Sequence, residues 1–206
     1  MKSKYFLILV TISFSNTFGQ SGKLFETSEI VNTQSQKKTQ KDFTRQNQNF
    51  FEDDLYIVSK TCSGEWGGTI KFKNKQTGIE YACSATCPVV VNKLNGKYVI
   101  TNTLAHLSGY SEIIEVDNPD SLSIFKLPKP RIKEGKTIIR YAGDNESKST
   151  KGFRQVMDSV GILTIATFPY NEQLYHIITD FRKTFVAKIE HSKFVTIDTI
   201  SNKLQY

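Results

Sequence analysis

The chain is 206 residues long, with 27 Lys and Arg against 20 Asp and Glu and a formal net charge of +7. That length suits one domain with a proper core. The mild basic excess allows weak attraction to an anionic polymer or an envelope component. It comes without a clustered basic motif or stacking groups on one face, which argues against nucleic-acid recognition.

The chain opens with Met1-Lys-Ser-Lys, then "YFLILVTISF", then "SNTFGQ". A short positive region, a short apolar run, and small residues Thr17 and Gly19 ahead of Gln20 predict a secretory signal peptide over 1–19. The apolar run is about half of the roughly 20 residues that a membrane span needs, and no later run approaches that length. The expected product is a secreted or periplasmic chain of 187 residues, carrying +5 once Lys2 and Lys4 have left with the signal.

Residues 20–52 read as a flexible polar leader. The stretch "QSQKKTQKDFTRQNQ" at 34–48 holds no aliphatic residue, so it cannot bury enough apolar surface to offset the entropy of ordering. Within it, 23–31 could form a weak helix.

From residue 53 onward, β-branched and aromatic runs alternate with turn residues, and a single all-β domain is predicted over 53–206. The predicted strands are "LYIVSK" (55–60), "TIKFK" (69–73), "IEYACS" (79–84), "PVVVNKL" (88–94), "KYVITNT" (97–103) and "YSEIIEV" (110–116). "SLSIFK" (121–126), "TIIRYA" (137–142), "FRQVMDS" (153–159), "ILTIATF" (162–168), "LYHIITD" (174–180), "FVAKIE" (185–190) and "FVTIDTI" (194–200) follow. Their lengths and their period of two suit half-buried strands. Asn95-Gly96 predicts a tight hairpin, because a two-residue type I′ turn needs positive φ at both positions.

With Gly96 set on Gly161, an offset of 65 residues, "GKYVITNTLAHLSGYSEIIEVD" lies over "GILTIATFPYNEQLYHIITDFR" without a gap. Ile100 then meets Ile165, Tyr110 meets Tyr175, Ile113 meets Ile178, and Ile124 meets Ile189. Both copies read glycine turn, strand, polar loop, Tyr-containing strand, turn, strand. Over 55–200 the chain resembles a small or partial β-propeller of the kind found in secreted bacterial proteins. The resemblance implies antiparallel meander sheets stacked in series; a β-sandwich or a barrel is the alternative. Between the two similar halves, 127–136 forms a basic connector with two prolines, which interrupt any central strand.

The cysteines are Cys62, Cys83 and Cys87. In a secreted chain three thiols most simply form one disulfide and leave one over. Four residues of continuous strand span about 13 Å, too far for a disulfide, so the expected bond joins Cys62 to Cys83 or to Cys87. Cys-Ser-Ala-Thr-Cys-Pro also resembles the cysteine pair of the copper chaperones of oxidase assembly. That resemblance implies copper on Cys83 and Cys87 with His176 as the available histidine, but the family needs a helix after the second cysteine, and here Pro88 leads into a strand.

No Gly-x-Ser-x-Gly elbow, zinc-protease helix or phosphate-cradling loop is present. No cofactor is expected. Two acidic loops could take calcium, one with Glu115, Asp117, Asn118 and Asp120, the other with Asp144, Asn145 and Glu146; ordinary turn chemistry accounts for them better. The expected function is a secreted, non-catalytic binding or scaffold module, its ligand surface guessed at Trp66, His106, Tyr110, Tyr170 and Tyr175. Self-association is a further expected mode. The alternative is an extracellular glycan-acting hydrolase or lyase with carboxylates such as Glu112 or Asp117.

Overall fold

A computed structural model describes residues 24–25, 47–126, 132–137, 143 and 145–200. The expected signal peptide, most of the leader, and residues 138–142 of the expected strand at 137–142 lie outside them. In chain order the strands are β1 (Asn47–Glu52), β2 (Tyr56–Cys62), β3 (Gly68–Asn74), β4 (Glu80–Ser84), β5 (Pro88–Leu94), β6 (Lys97–Leu104), β7 (Tyr110–Val116) and β8 (Ser123–Ile124). Then come β9 (Ile132–Lys133), β10 (Lys136–Thr137), β11 (Arg154–Val160), β12 (Leu163–Tyr170), β13 (Gln173–Thr179), β14 (Thr184–Glu190) and β15 (Lys193–Ile200).

These strands build three antiparallel sheets and a two-stranded ribbon. The first sheet runs β1-β2-β3-β4-β8, the second β11-β7-β6-β5 and the third β12-β13-β14-β15; the ribbon pairs β9 with β10. The fold is all-β and sandwich-like, and none of the sheets closes into a barrel. β1 lies inside the stretch expected to be leader. There Phe50 and Phe51, its apolar residues, pack against the core between the first two sheets. The ribbon occupies the second half of the expected connector, and 127–131 lie outside the described residues.

The second sheet is the middle layer. On β6, Tyr98 and Ile100 join Val58, Ile70 and Phe72 of the first sheet, whereas Val99 packs with Met157 against Leu174, Ile189 and Phe194 of the third sheet. Alternate side chains thus serve two different neighbours. This explains why β6 is buried at every position from Tyr98 to Asn102, the pattern of a strand covered on both faces. The ring of Phe72 meets that of Tyr98 at 5.2 Å, edge-on, in the first interface.

Local chemistry ends the strands where the sequence predicts. Asn95 and Gly96 both take positive φ, 50° and 79°, and turn β5 into β6. The offset of 65 residues lays the β6–β7 hairpin on the β12–β13 hairpin, but the two occupy different places. β12 is the outer strand of its sheet, β6 an inner one, and Ile124 belongs to the first sheet while Ile189 stays in the third. Sheet order instead matches β5 with β12: β5 crosses β1, β2 and β3 of the sheet before it, and β12 crosses β5, β6 and β7 of its own predecessor.

Candidate functional site

The stretch "YACSATCPVVV" is the corner where the chain leaves the first sheet at the end of β4 and enters the second at Pro88. Ala85, Thr86 and Cys87 make the step over the β2–β3 hairpin. It passes so close that a Cβ on Gly68 would stand 2.6 Å from the Ala85 carbonyl and 2.7 Å from that of Thr61. Glycine is required there by space, and Cys87 turns the corner at φ 53°. The turn brings the Cys87 Cα to 4.4 Å from that of Cys62, and the two form the disulfide that staples β2 to β5.

Cys83, facing the core between the same sheets, keeps a free thiol and is fully buried. Burial, with the nearby Glu112 charge, pushes it up to about 12. The bond is therefore Cys62 with Cys87, and the Cys83–Cys87 thiol pair implied by the copper resemblance does not exist. Its histidine, His176, lies in β13 of the third sheet.

Beside the disulfide opens a pocket of about 440 Å3 between the ends of β2, β5, β6 and β12. Val89, Leu104, Ala105, Leu163 and Ile165 form its walls together with the disulfide sulfurs. Two hydroxyl residues, Thr103 and Thr164, also reach it, but their polar atoms are spent on the protein. Thr103 donates to the Tyr110 carbonyl at 3.1 Å, and the Thr164 hydroxyl donates to Ser111 at 3.0 Å. The Thr164 amide donates to Ser111 at 2.8 Å. The side chains offered to a ligand are therefore mainly apolar.

Four exposed apolar side chains belong to the lining or neighbour it along the chain or in space. Leu107 is 91% exposed, Trp66 58%, Phe181 57% and Ile165 51%. Phe181 reaches the rim because Gly109, at φ 83°, has no side chain: a Cβ there would sit 2.9 Å from the Phe181 ring. Across the mouth, Glu65 approaches His106 at 3.5 Å, joining the loops that carry the lining residues Gly64 and Ala105. Lys148 donates to the Trp66 carbonyl at 3.1 Å. This places the second acidic loop beside the mouth, where Glu146 accepts hydroxyls from Thr61, Ser63 and Thr69.

The five guessed ligand residues do not form one surface. Trp66 and His106 lie within two residues of the lining residues Gly64 and Ala105, and Tyr110 pairs with the lining residue Leu104. Tyr170 and Tyr175 lie at the other end of the third sheet, where Tyr175 is 5% exposed and packs against Phe25 and Phe168. Nor do the two carboxylates named for a glycan-acting enzyme meet. Asp117 pairs with Lys97 at 3.1 Å beyond the end of β7. Glu112 stands opposite Asp158 of β11 instead, its carboxyl raised by burial and by the Asp158 charge against a hydrogen bond from Asn102.

The first acidic loop is a turn held by its own side chains. Asn118 caps the short helical turn at Pro119–Ser121, Asp120 accepts from Tyr56, and Glu115 is bound by Lys97 and Arg154. Asp144 lies outside the described residues. Among the described residues no three His, Cys, Asp or Glu side chains converge as a metal site, and no helix is long and apolar enough to cross a membrane. No family model, curated protein or solved structure matches the chain.

The sequence pointed to the disulfide and to Trp66 and His106, but it missed Val89, Leu104, Leu163 and Ile165. As letters they are ordinary strand residues. Their only sequence signal was position: Leu104 and Leu163 are strand ends, and Val89 and Ile165 lie one and two residues from one.

Proposed function

We propose that this protein is a secreted, non-catalytic binding module whose ligand site is the disulfide-walled pocket. The observation that carries the reading is an apolar-walled pocket of about 440 Å3 whose lining includes the exposed Ile165, with exposed Trp66 and Leu107 two residues along the chain from the lining residues Gly64 and Ala105, and Phe181 and the lining residue Leu163 both beside Gly109. Pockets of this size and lining suit small ligands, and clustered apolar exposure marks interaction surfaces. The Cys62–Cys87 bond supports an oxidising compartment. The serial stacking of meander sheets, each entered by a strand that crosses its predecessor, supports a propeller-like kinship.

The test is titration with an apolar fluorophore, N-phenyl-1-naphthylamine. The expected result is saturable one-to-one binding, lost in an Ala105→Trp variant whose circular dichroism is unchanged. Absence of saturable binding to the wild type overturns the reading. Sequencing the N-terminus of the protein recovered outside the cell tests secretion, with a start at Gln20 expected.

One observation favours the glycan-acting alternative, the facing carboxyls of Glu112 and Asp158. It predicts release of reducing ends from an extracellular polysaccharide, abolished by Glu112→Gln. Among the described residues that line the pocket there is no carboxylate.

A further inference from the structure

At the end of the third sheet away from the disulfide pocket, the outer face forms an aromatic cup. The Thr167 hydroxyl lies 3.2 Å from that of Thr101 on the second sheet and 3.1 Å from His176 Nδ1, so Thr167 and His176 face the second sheet. Their chain neighbours Phe168 and Tyr175 therefore point away from it. These two stand opposite each other on β12 and β13, their rings stacked at 5.9 Å, and the Tyr175 hydroxyl donates to Gln173 at 3.2 Å. Tyr170, two residues along β12 from Phe168, brings a third ring to 6.2 Å from Tyr175. Strand register thus assembles the cup from the sheet's own residues.

The residue that fills the cup comes from ahead of β1. Phe25 meets all three rings edge-on, at 5.5, 5.3 and 4.9 Å, an arrangement that ring quadrupoles favour. Between Phe25 and β1, at the edge of the first sheet, lie the 21 residues of 26–46, outside the described ones. Sheets pack about 10 Å apart, so crossing the three-sheet stack takes roughly 20–30 Å. A connection of 21 residues reaches up to about 70 Å. That length seats Phe25 on its own third sheet or on that of a neighbouring molecule. The rings met are the same in both cases, and exchange of an identical element is a low-cost route to a dimer.

We propose that the cup of Phe168, Tyr170 and Tyr175 is a self-association site, in which residues 24–25 of a second copy replace the chain's own, each partner giving one segment and taking the other. The site is separate from the disulfide pocket and sets no condition on the ligand there.

The experiment pairs the protein with a fluorescent peptide of residues 21–29, SGKLFETSE. Phe25→Ala empties the cup without altering a strand, and an unchanged circular dichroism spectrum verifies the fold. By anisotropy, the peptide should bind this variant with a Kd of roughly tens to hundreds of micromolar, the scale set by a tether of millimolar effective concentration. It should bind the wild type about fivefold more weakly or worse, because Phe25 is already seated. Tyr170 is 43% exposed, so adding Tyr170→Ala to Phe25→Ala should keep the fold and weaken the peptide. In sedimentation, the average mass of the wild type should rise as the protein approaches about 1 mM, and that of Phe25→Ala should stay flat.

No binding to Phe25→Ala, equal binding to both proteins, or displacement of N-phenyl-1-naphthylamine by the peptide overturns the assignment. A mass that rises equally in Phe25→Ala does so too. If the peptide binds while the wild-type mass stays flat, Phe25 serves its own chain alone and the second-copy assignment falls. None of these results bears on the binding-module reading, which stands or falls with the fluorophore.

Discussion

The hydroxyls of Thr101 and Thr167 lie 3.2 Å apart across the interface between the second and third sheets, and Thr167 in turn lies 3.1 Å from Nδ1 of His176. This buried polar chain is enclosed by apolar packing, with the His176 ring edge-on to Phe194 at 5.4 Å.

Burial pulls His176 from 6.5 down to about 4. Between those values the unfolded chain binds a proton that the folded chain refuses, so stability falls as pH drops through that window. Above about pH 7 this residue contributes no pH dependence. The full loss amounts to roughly 3 kcal/mol. Urea midpoints at pH 7, 5.5 and 4.5 should fall for the wild type, and the His176→Gln variant should show a shallower slope over the same range. Equal slopes would refute the assignment.

The Cys62–Cys87 bond closes a loop with a sequence separation of 25, for which chain entropy implies a stabilisation of about 3 kcal/mol. Cys62→Ser/Cys87→Ser should shift the urea midpoint accordingly. Alkylation followed by mass measurement should find no reactive thiol in the native protein, one after unfolding without reductant, and three after unfolding with it. More than one adduct without reductant would contradict the pairing.

Glu146 accepts from Thr61, from Ser63 at 2.6 Å and from Thr69 at 2.7 Å. Thr69 is 1% exposed, so Glu146→Ala strands a buried hydroxyl at a cost of about 1–3 kcal/mol. Because Lys148 holds the Trp66 carbonyl, the emission of this single tryptophan should change below the main unfolding transition. An unaltered midpoint would show that the three contacts contribute nothing net.

Phe25 packs edge-on against Phe168, Tyr170 and Tyr175, at 5.5, 5.3 and 4.9 Å between ring centroids. Removing the ring in Phe25→Ala should cost roughly 1–3 kcal/mol, from lost burial and lost ring pairing. It should also make Tyr175 more accessible to nitration. No change in either would mean that this contact does not hold the segment.

Much of the fold was legible because strands are local. "PVVVNKL" and "YSEIIEV" begin and end where β5 and β7 do, since apolar alternation and the turn residues around them act within a few positions. β1 was missed because its residues sit in a polar stretch. Phe50 and Phe51 earn burial only from a core assembled by residues far along the chain. The five guessed ligand residues were chosen as aromatics and a histidine near loops, a criterion that found Trp66 and His106 but also Tyr175, whose ring is part of a packed cluster.

By itself the sequence determined the all-β class, most strand limits, the Asn95-Gly96 hairpin and the strand, not helix, that follows Cys87. These depend on backbone preference and side-chain period over short spans. Only the tertiary structure decided that Cys62 bonds to Cys87 and not to Cys83, that the second sheet is covered on both faces, and that Val89, Leu104, Leu163 and Ile165 surround one pocket. Those outcomes rest on which sheet faces meet and at what step the chain crosses between them. That is set by long-range packing: the close passage over Gly68, the bare Gly109 beneath Phe181, and the alternate sides of β6 finding different partners.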